Sequence, residues 1–164
     1  DAHFDLRPCE PLPSSGTPFR QIAEDCKKND QAFNYFVMGI NKAVNSPALF
    51  NYAKSEGVQW VSDVNMGLQP VTGLISELET FCAKVDKIYL SICLDVFPAH
   101  IAPGVSAPAS LGVDPSVIIQ LLHYLKTLDS KIVLLDIAEM NPKYDIDNRT
   151  AKLAARLIHE FVST

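Results

Sequence analysis

Apolar residues recur at helical spacing in several stretches of the chain. The clearest is residues 71–85, where the apolar side chains share one helical face. That face carries Val71, Leu74, Ile75, Leu78, Phe81, Cys82 and Val85. Residues 17–28 show the same spacing, with Thr17 as the expected N-cap and Pro18 in the first turn. Three more helices are predicted over residues 46–57, 114–127 and 148–162.

Short apolar runs alternate with these predicted helices. They cover residues 35–40, 58–61, 88–94 and 132–137. Such runs are typical of strands that are buried on both faces. The alternation of strands and amphipathic helices therefore predicts an α/β fold. In this fold, helices cover both faces of a mainly parallel sheet in a three-layer α-β-α arrangement.

The predicted strand ends carry polar residues that could bind a ligand or take part in catalysis. Cys93 and Asp95 end the run 88–94, and Glu139 follows the run 132–137. In open α/β sheets, ligands bind beyond the carboxyl ends of the strands. We therefore expect the functional site at this edge of the sheet.

Residues 1–5 (DAHFD) have the pattern of a third strand end. In an extended segment, Asp1, His3 and Asp5 would all point to the same side. The apolar body of such a strand is missing before Asp1, and a chain terminus would hold these residues poorly. We therefore expect an upstream strand in the natural polypeptide, of which this chain would be a fragment.

Carboxylates with a histidine suit a divalent ion such as Mn²⁺. Two such ions about 3.5–4 Å apart can share an activated water molecule. Each residue also has a simpler interpretation. The DxHxD pattern fits a polar turn with a helix cap, Cys93 fits a buried core residue, and Glu139 fits a surface or capping carboxylate. The coincidence of these residues at successive strand ends favours a metal site.

Composition excludes several classes of function. The net charge is −5 and no dense Lys/Arg cluster occurs, so binding driven by nucleic-acid phosphates is not expected. No apolar run approaches the length of a membrane span. The four cysteines form no CxxC pair, which predicts a reduced, cytoplasmic protein. The GVSAP stretch around Ser106 lacks the second glycine of a nucleophile elbow.

Several motifs resemble the ureohydrolase family in sequence, order and spacing. They are DAHFD (1–5), SICLD (91–95), APGVSAP (102–108), AEMNP (138–142) and TAKLAARL (150–157). The resemblance implies an arginase-like three-layer α-β-α domain. Residues 1–164 would form roughly its C-terminal half, with the N-terminal portion missing from this chain.

The resemblance also implies a binuclear manganese site that hydrolyses a C–N bond. The metal ligands would be Asp1, His3, Asp5, Cys93 and Asp95. Asp5 would also pass a proton to the leaving amine, and Glu139 would face the cationic amidine or guanidine. The positions near the substrate would be Arg7, Ser15, Gly16, Thr17 and Asn41.

Within the family, residues 1–7 (DAHFDLR) and 14–22 (SSGTPFRQI) are most similar to the branch that hydrolyses N-formimidoyl-L-glutamate during histidine degradation. Its products are L-glutamate and formamide. Arg7 could pair with a substrate carboxylate, because guanidinium binds carboxylates through two hydrogen bonds. The alternative is arginase- or agmatinase-type hydrolysis of a guanidine. Family resemblance further implies a homo-oligomer, trimeric or hexameric.

Two departures from the family pattern affect the expected site. Cys93 stands where the family has an aspartate that bridges both metals. The site would therefore bind Mn²⁺ less well, and Zn²⁺ or Fe²⁺ relatively better. The family's remaining metal-binding histidine lies upstream, outside this chain. Because of Cys93, a non-catalytic, ureohydrolase-like subunit is a further alternative.

Overall fold

The computed structural model describes residues 1–163, which fall into two compact units. The first unit comprises residues 1–62, and the second begins at Asp63. Each unit contains one pair of parallel strands with helices between or around them. Among the described residues, no helix combines the length and the apolar character needed to cross a lipid bilayer.

The first unit is built from two helices and two strands. Their order is α1 (Pro18–Lys28), β1 (Phe36–Ile40), α2 (Pro47–Ser55) and β2 (Gln59–Ser62). The strands β1 and β2 pair in parallel, with Phe36 opposite Gln59 and Ile40 opposite Ser62. The register shifts between Met38 and Ile40, where Gly39 has a φ of 102° that favours glycine.

The core of the first unit is centred on the N-terminal segment. Ala2, Phe4 and Leu6 are buried, whereas residues 1, 3 and 5 are only partly buried. The Phe4 ring packs edge-to-face against Phe50 and Trp60, with ring centroids 5.0 and 5.4 Å away. The alternation predicted for residues 1–5 is thus present, although the structure assigns no strand there.

The second unit contains the other two strands. Its elements are α3 (Asp63–Leu68), α4 (Val71–Cys82), β3 (Ile88–Cys93), α5 (Pro115–Lys126), β4 (Ile132–Ala138) and α6 (Arg149–Val162). Short 3-10 turns follow β3 at Leu94–Val96 and precede β4 at Asp129–Lys131. The strands β3 and β4 pair in parallel, with Cys93 opposite Ala138. The ends of both strands therefore leave the sheet at the same edge.

The predicted helices and strands are all present, with one additional helix and local differences at the ends of several elements. The short helix α3 was not predicted, because its six residues are too few to show apolar residues recurring at helical spacing. Helix α4 ends at Cys82 rather than residue 85. The run 88–94 ends as a strand at Cys93, and the chain then turns at Leu94–Val96.

The expectation that helices would cover both faces of the sheet is only partly met within residues 1–163. Tyr89, Val133 and Leu134 are exposed apolar residues of β3 and β4. A continuous apolar run predicts a buried strand. It does not say which part of the chain covers that strand.

Phe4→Ala should destabilise the protein by about 3–5 kcal/mol, because it removes a fully buried ring from the core of the first unit. Chemical denaturation of the full-length protein measures this loss. The control is Leu12→Ala, since Leu12 is 77% exposed and should contribute little. Equal losses in the two variants would contradict the central position of Phe4.

Candidate metal centre

Two of the predicted ligands, Asp1 and His3, lie together beside the end of β1. The backbone nitrogen of Asp1 donates to the Met38 carbonyl (2.9 Å), and the Asn41 N–H donates to the Ala2 carbonyl (3.0 Å). The His3 N–H donates to Asp1 Oδ1 (2.7 Å), and His3 Nδ1 lies 3.7 Å from the same oxygen. A carboxylate and an imidazole are therefore presented side by side from one short segment.

Asp5, the third predicted ligand of this segment, adopts a left-handed backbone conformation with a φ of 53°. Aspartate tolerates this region better than most residues. Its carbonyl accepts a hydrogen bond from the Arg20 N–H (3.2 Å), which ties the turn to helix α1. The extended course of residues 1–4 therefore ends at Asp5.

Arg7 and Gly16, both predicted near the substrate, are in contact. The Arg7 N–H donates to the Gly16 carbonyl (2.9 Å). A Cβ atom on Gly16 would lie 2.9 Å from Arg7 Cδ, so the absence of a side chain lets the arginine lie across this position. Arg7 itself is exposed, as is Ser15. These residues form a polar surface loop next to residues 1–5.

Thr17 supports this loop from inside. It is buried, and its hydroxyl accepts hydrogen bonds from the Ser14 N–H and Gln21 Nε2 and donates to the Ser14 carbonyl. These contacts give Thr17 a structural role in shaping the predicted substrate loop. Direct substrate contact by Thr17 stays a prediction.

Asn41 follows β1, and its side chain closes a local turn. Its side-chain oxygen accepts from the Ala43 N–H (2.8 Å). Four residues later, the buried Asn45 contacts the backbone of residues 1–5. Sequence reasoning missed Asn45, because Asn-Ser-Pro before a helix is typical of an ordinary helix start.

Cys93 and Asp95 form a buried pair in the second unit. Both residues are 2% exposed, and Cys93 Sγ donates a hydrogen bond to Asp95 Oδ1 (3.0 Å). Burial, reinforced by the charge of Asp95, raises the pKa of the Cys93 thiol well above its usual value. Without a metal, Cys93 is therefore a neutral hydrogen-bond donor, unlike the aspartate that the family pattern has there.

Glu139 follows β4 directly, at the same edge of the sheet as Cys93. It is half-buried and has a φ of 64°, which is uncommon for glutamate. Such conformations concentrate at functional sites, where the surrounding structure maintains them. Cys93, Asp95 and Glu139 therefore lie at or just beyond the carboxyl ends of β3 and β4, on one edge of this sheet.

Gly104, in the APGVSAP loop, anchors the turn that follows Glu139. Its carbonyl accepts from the Asn141 N–H (2.7 Å), and its N–H donates to Thr150 Oγ1 (2.7 Å). A Cβ atom at this position would lie 2.6 Å from Asp145 Cβ. The loop, the turn and helix α6 therefore meet at a point where only glycine fits without displacement.

Each unit carries donor types that suit a divalent metal ion. In the first unit these are the carboxylate of Asp1 and the imidazole of His3, and in the second unit the carboxylate of Asp95. The carboxylate of Asp95 is buried and accepts a hydrogen bond from Cys93 Sγ. Cys93 fits less well, because the metal would have to displace the thiol proton.

A comparison with known protein families identifies the family of this chain. The model of the Arginase family matches residues 1–163, and the chain therefore belongs to the arginase family. The family resemblance of the sequence motifs is thereby confirmed.

The chain is similar to curated proteins named formimidoylglutamase. It is 48% identical to the one from Ralstonia nicotianae over 162 residues, which are 99% of this chain and 49% of that protein. It is 47% identical to the one from Aromatoleum aromaticum over 158 residues, 96% of this chain and 46% of that protein. The chain spans about half the length of the curated relatives it matches.

Solved structures confirm the arginase-like α/β fold. The formimidoylglutamase of Bacillus subtilis matches with a TM-score of 0.88 and 26% identity, over 98% of this chain and 50% of that one. An arginase from Bacillus subtilis matches in fold, with a TM-score of 0.86 and 22% identity, over 100% of this chain and 61% of that one.

Gly104→Ala should destabilise the protein by about 1–3 kcal/mol, because the new methyl group collides with Asp145. Thermal unfolding of the full-length protein tests this. Gly73→Ala is the matched control: its Cβ would meet only Gln69 Oε1 at 3.7 Å, and alanine favours helix α4 by about 1 kcal/mol. A melting temperature for Gly104→Ala at or above the wild-type value would exclude the predicted collision.

Proposed function

We propose that the full-length protein hydrolyses N-formimidoyl-L-glutamate to L-glutamate and formamide. The observation that carries this proposal is the 48% identity to a formimidoylglutamase across 99% of the chain. Asp1, His3, Asp5, Asp95 and Glu139 all provide ligand or charge chemistry that this reaction needs. Hydrolysis of a guanidine is the less favoured alternative, because the most similar curated relatives share the formimidoylglutamase name.

In this proposal, Asp1, His3, Asp5, Cys93 and Asp95 are the metal ligands that this chain contributes. Manganese, when bound, supplies an activated water and stabilises developing negative charge. The donor chemistry of Asp1, His3 and Asp95 supports manganese. Cys93 favours softer ions such as Zn²⁺ or Fe²⁺ over Mn²⁺ more than an aspartate would.

The remaining residues act on the substrate and its protons. The carboxylate of Glu139 attracts the cationic formimidoyl group. Water adds to the formimidoyl carbon, and the bond from this carbon to the glutamate nitrogen breaks. Asp5 takes a proton from the attacking water and passes it to the leaving amine, which departs as glutamate. The atoms of water are thus divided between formamide and glutamate.

Hydrolysis should be substrate-selective and metal-dependent. The full-length protein, loaded with Mn²⁺, should release formamide from N-formimidoyl-L-glutamate and leave agmatine and arginine intact. Asp95→Ala should abolish this activity, because it removes a metal ligand at a strand end, and far-ultraviolet circular dichroism checks the fold. The control is Asp129→Ala, outside the proposed site, which should remain active.

Near-normal turnover by Asp95→Ala would exclude the proposed ligand set. Hydrolysis of agmatine or arginine instead would reassign the substrate. Failure to hydrolyse any of the three would favour a non-catalytic subunit, and restoration of activity by Cys93→Asp would identify the cause.

Arg7 should contribute to substrate binding through a carboxylate of the substrate. Charged hydrogen bonds are worth about 1.5–3 kcal/mol, so Arg7→Ala should raise KM roughly 10- to 100-fold for N-formimidoyl-L-glutamate. The KM for an analogue with neutral amides in place of the carboxylates should change much less. The control is the exposed Arg149→Ala. Equal effects of Arg7→Ala on both substrates would remove Arg7 from the substrate site.

A further inference from the structure

Asn45 is a buried polar residue that lies outside the predicted site but contacts its backbone. It is 5% exposed and immediately precedes the N-cap of helix α2. A buried amide without partners costs about 1–3 kcal/mol, so a side chain of this kind is expected to be fully hydrogen-bonded. Its partners therefore indicate what it does.

The amide of Asn45 contacts the backbone on both sides of His3. Its Nδ2 donates to the Ala2 carbonyl (2.8 Å), and its Oδ1 accepts from the Phe4 N–H (3.1 Å). These groups belong to the two peptide planes that flank the His3 Cα. Fixing both planes fixes the backbone dihedrals of His3 and hence the direction of its side chain.

A third hydrogen bond connects this contact to the end of β1. Nδ2 also donates to the Asn41 carbonyl (2.8 Å). Two carbonyls and one N–H surround the amide, so only one of its two orientations satisfies all three groups. Asn45 therefore joins the end of β1, the start of α2 and the segment that carries His3.

We propose that Asn45 is a positioning residue that holds His3 in the orientation needed for metal binding. This inference rests on the proposed function, in which His3 is a metal ligand. The Ala2 carbonyl also accepts from the Asn41 N–H, and the Phe4 ring is anchored in the core. Loss of the amide should therefore leave the segment attached at Ala2, while the His3–Phe4 peptide plane loses its hydrogen bond to Asn45.

Asn45→Ala should weaken Mn²⁺ binding roughly 10- to 100-fold, the usual cost of losing a residue that orients a metal ligand. Titration of the full-length protein with Mn²⁺, followed by electron paramagnetic resonance of the free ion, measures affinity and stoichiometry separately. The matched control is Asn51→Ala, an exposed asparagine within helix α2, which should bind like the wild type. The positioning role requires a weaker affinity at unchanged stoichiometry.

Wild-type affinity in Asn45→Ala would overturn the inference. Fewer sites at unchanged affinity would also overturn it, because that result indicates partial unfolding rather than a misoriented ligand. If the wild type binds no Mn²⁺, the metal-centre proposal fails and the role of Asn45 fails with it. If the wild type binds and Asn45→Ala binds equally, only the role of Asn45 fails.

Should Asn45→Ala not fold, amide exchange in the wild type provides the test. The Phe4 N–H should exchange slowly, as expected for a buried backbone group held by Asn45 Oδ1. Rapid exchange at Phe4, with the helices still protected, would overturn the inference.

Discussion

The burial of Phe4 is the constraint on which the first unit depends. Its ring packs against Phe50 and Trp60, and the neighbouring Ala2 and Leu6 are also buried. Because side chains alternate along an extended segment, burying residues 2 and 4 directs residues 1 and 3 to the opposite side. A core-packing requirement thereby presents Asp1 and His3, and the amide of Asn45 contacts the backbone on both sides of His3. Hydrophobic packing places the donors, and buried hydrogen bonds orient them.

The second unit meets a different physical problem, the burial of charge. Asp95 is held in a nearly solvent-free position beside Cys93, whose thiol donates to it. An aspartate in place of Cys93 would put two carboxylates together and would require a cation strongly. The neutral thiol relieves that requirement. A chain with Cys93 is therefore expected to be more stable without metal, and to bind Mn²⁺ less strongly, than one with aspartate.

Each unit contains a carboxylate residue of the proposed site whose backbone adopts a left-handed conformation. Asp5 and Glu139 have φ values of 53° and 64°, and Glu139 directly follows strand β4. The backbone of Asp5 is fixed by the Arg20 N–H, and the turn after Glu139 is fixed by Gly104. These hydrogen bonds stabilise left-handed conformations, which are uncommon for residues other than glycine and more so for glutamate than for aspartate. In the proposed reaction, Asp5 transfers a proton and Glu139 attracts the cationic substrate.

Hydrophobic periodicity and helix-start residues predicted every helix except α3, all four strands and the parallel pairing, because both signals are local in sequence. Strand ends and motifs then identified Asp1, His3, Asp95 and Glu139 as candidates. Tertiary structure decided what no sequence pattern encodes: the burial of Cys93 against Asp95, the close approach at Gly104 and the hydrogen bonds of Asn45. Each depends on atoms that are distant along the chain, such as Asn45 and Phe4, and only folding sets the distance between them. A buried asparagine before a helix looks like a capping residue until its partners are known.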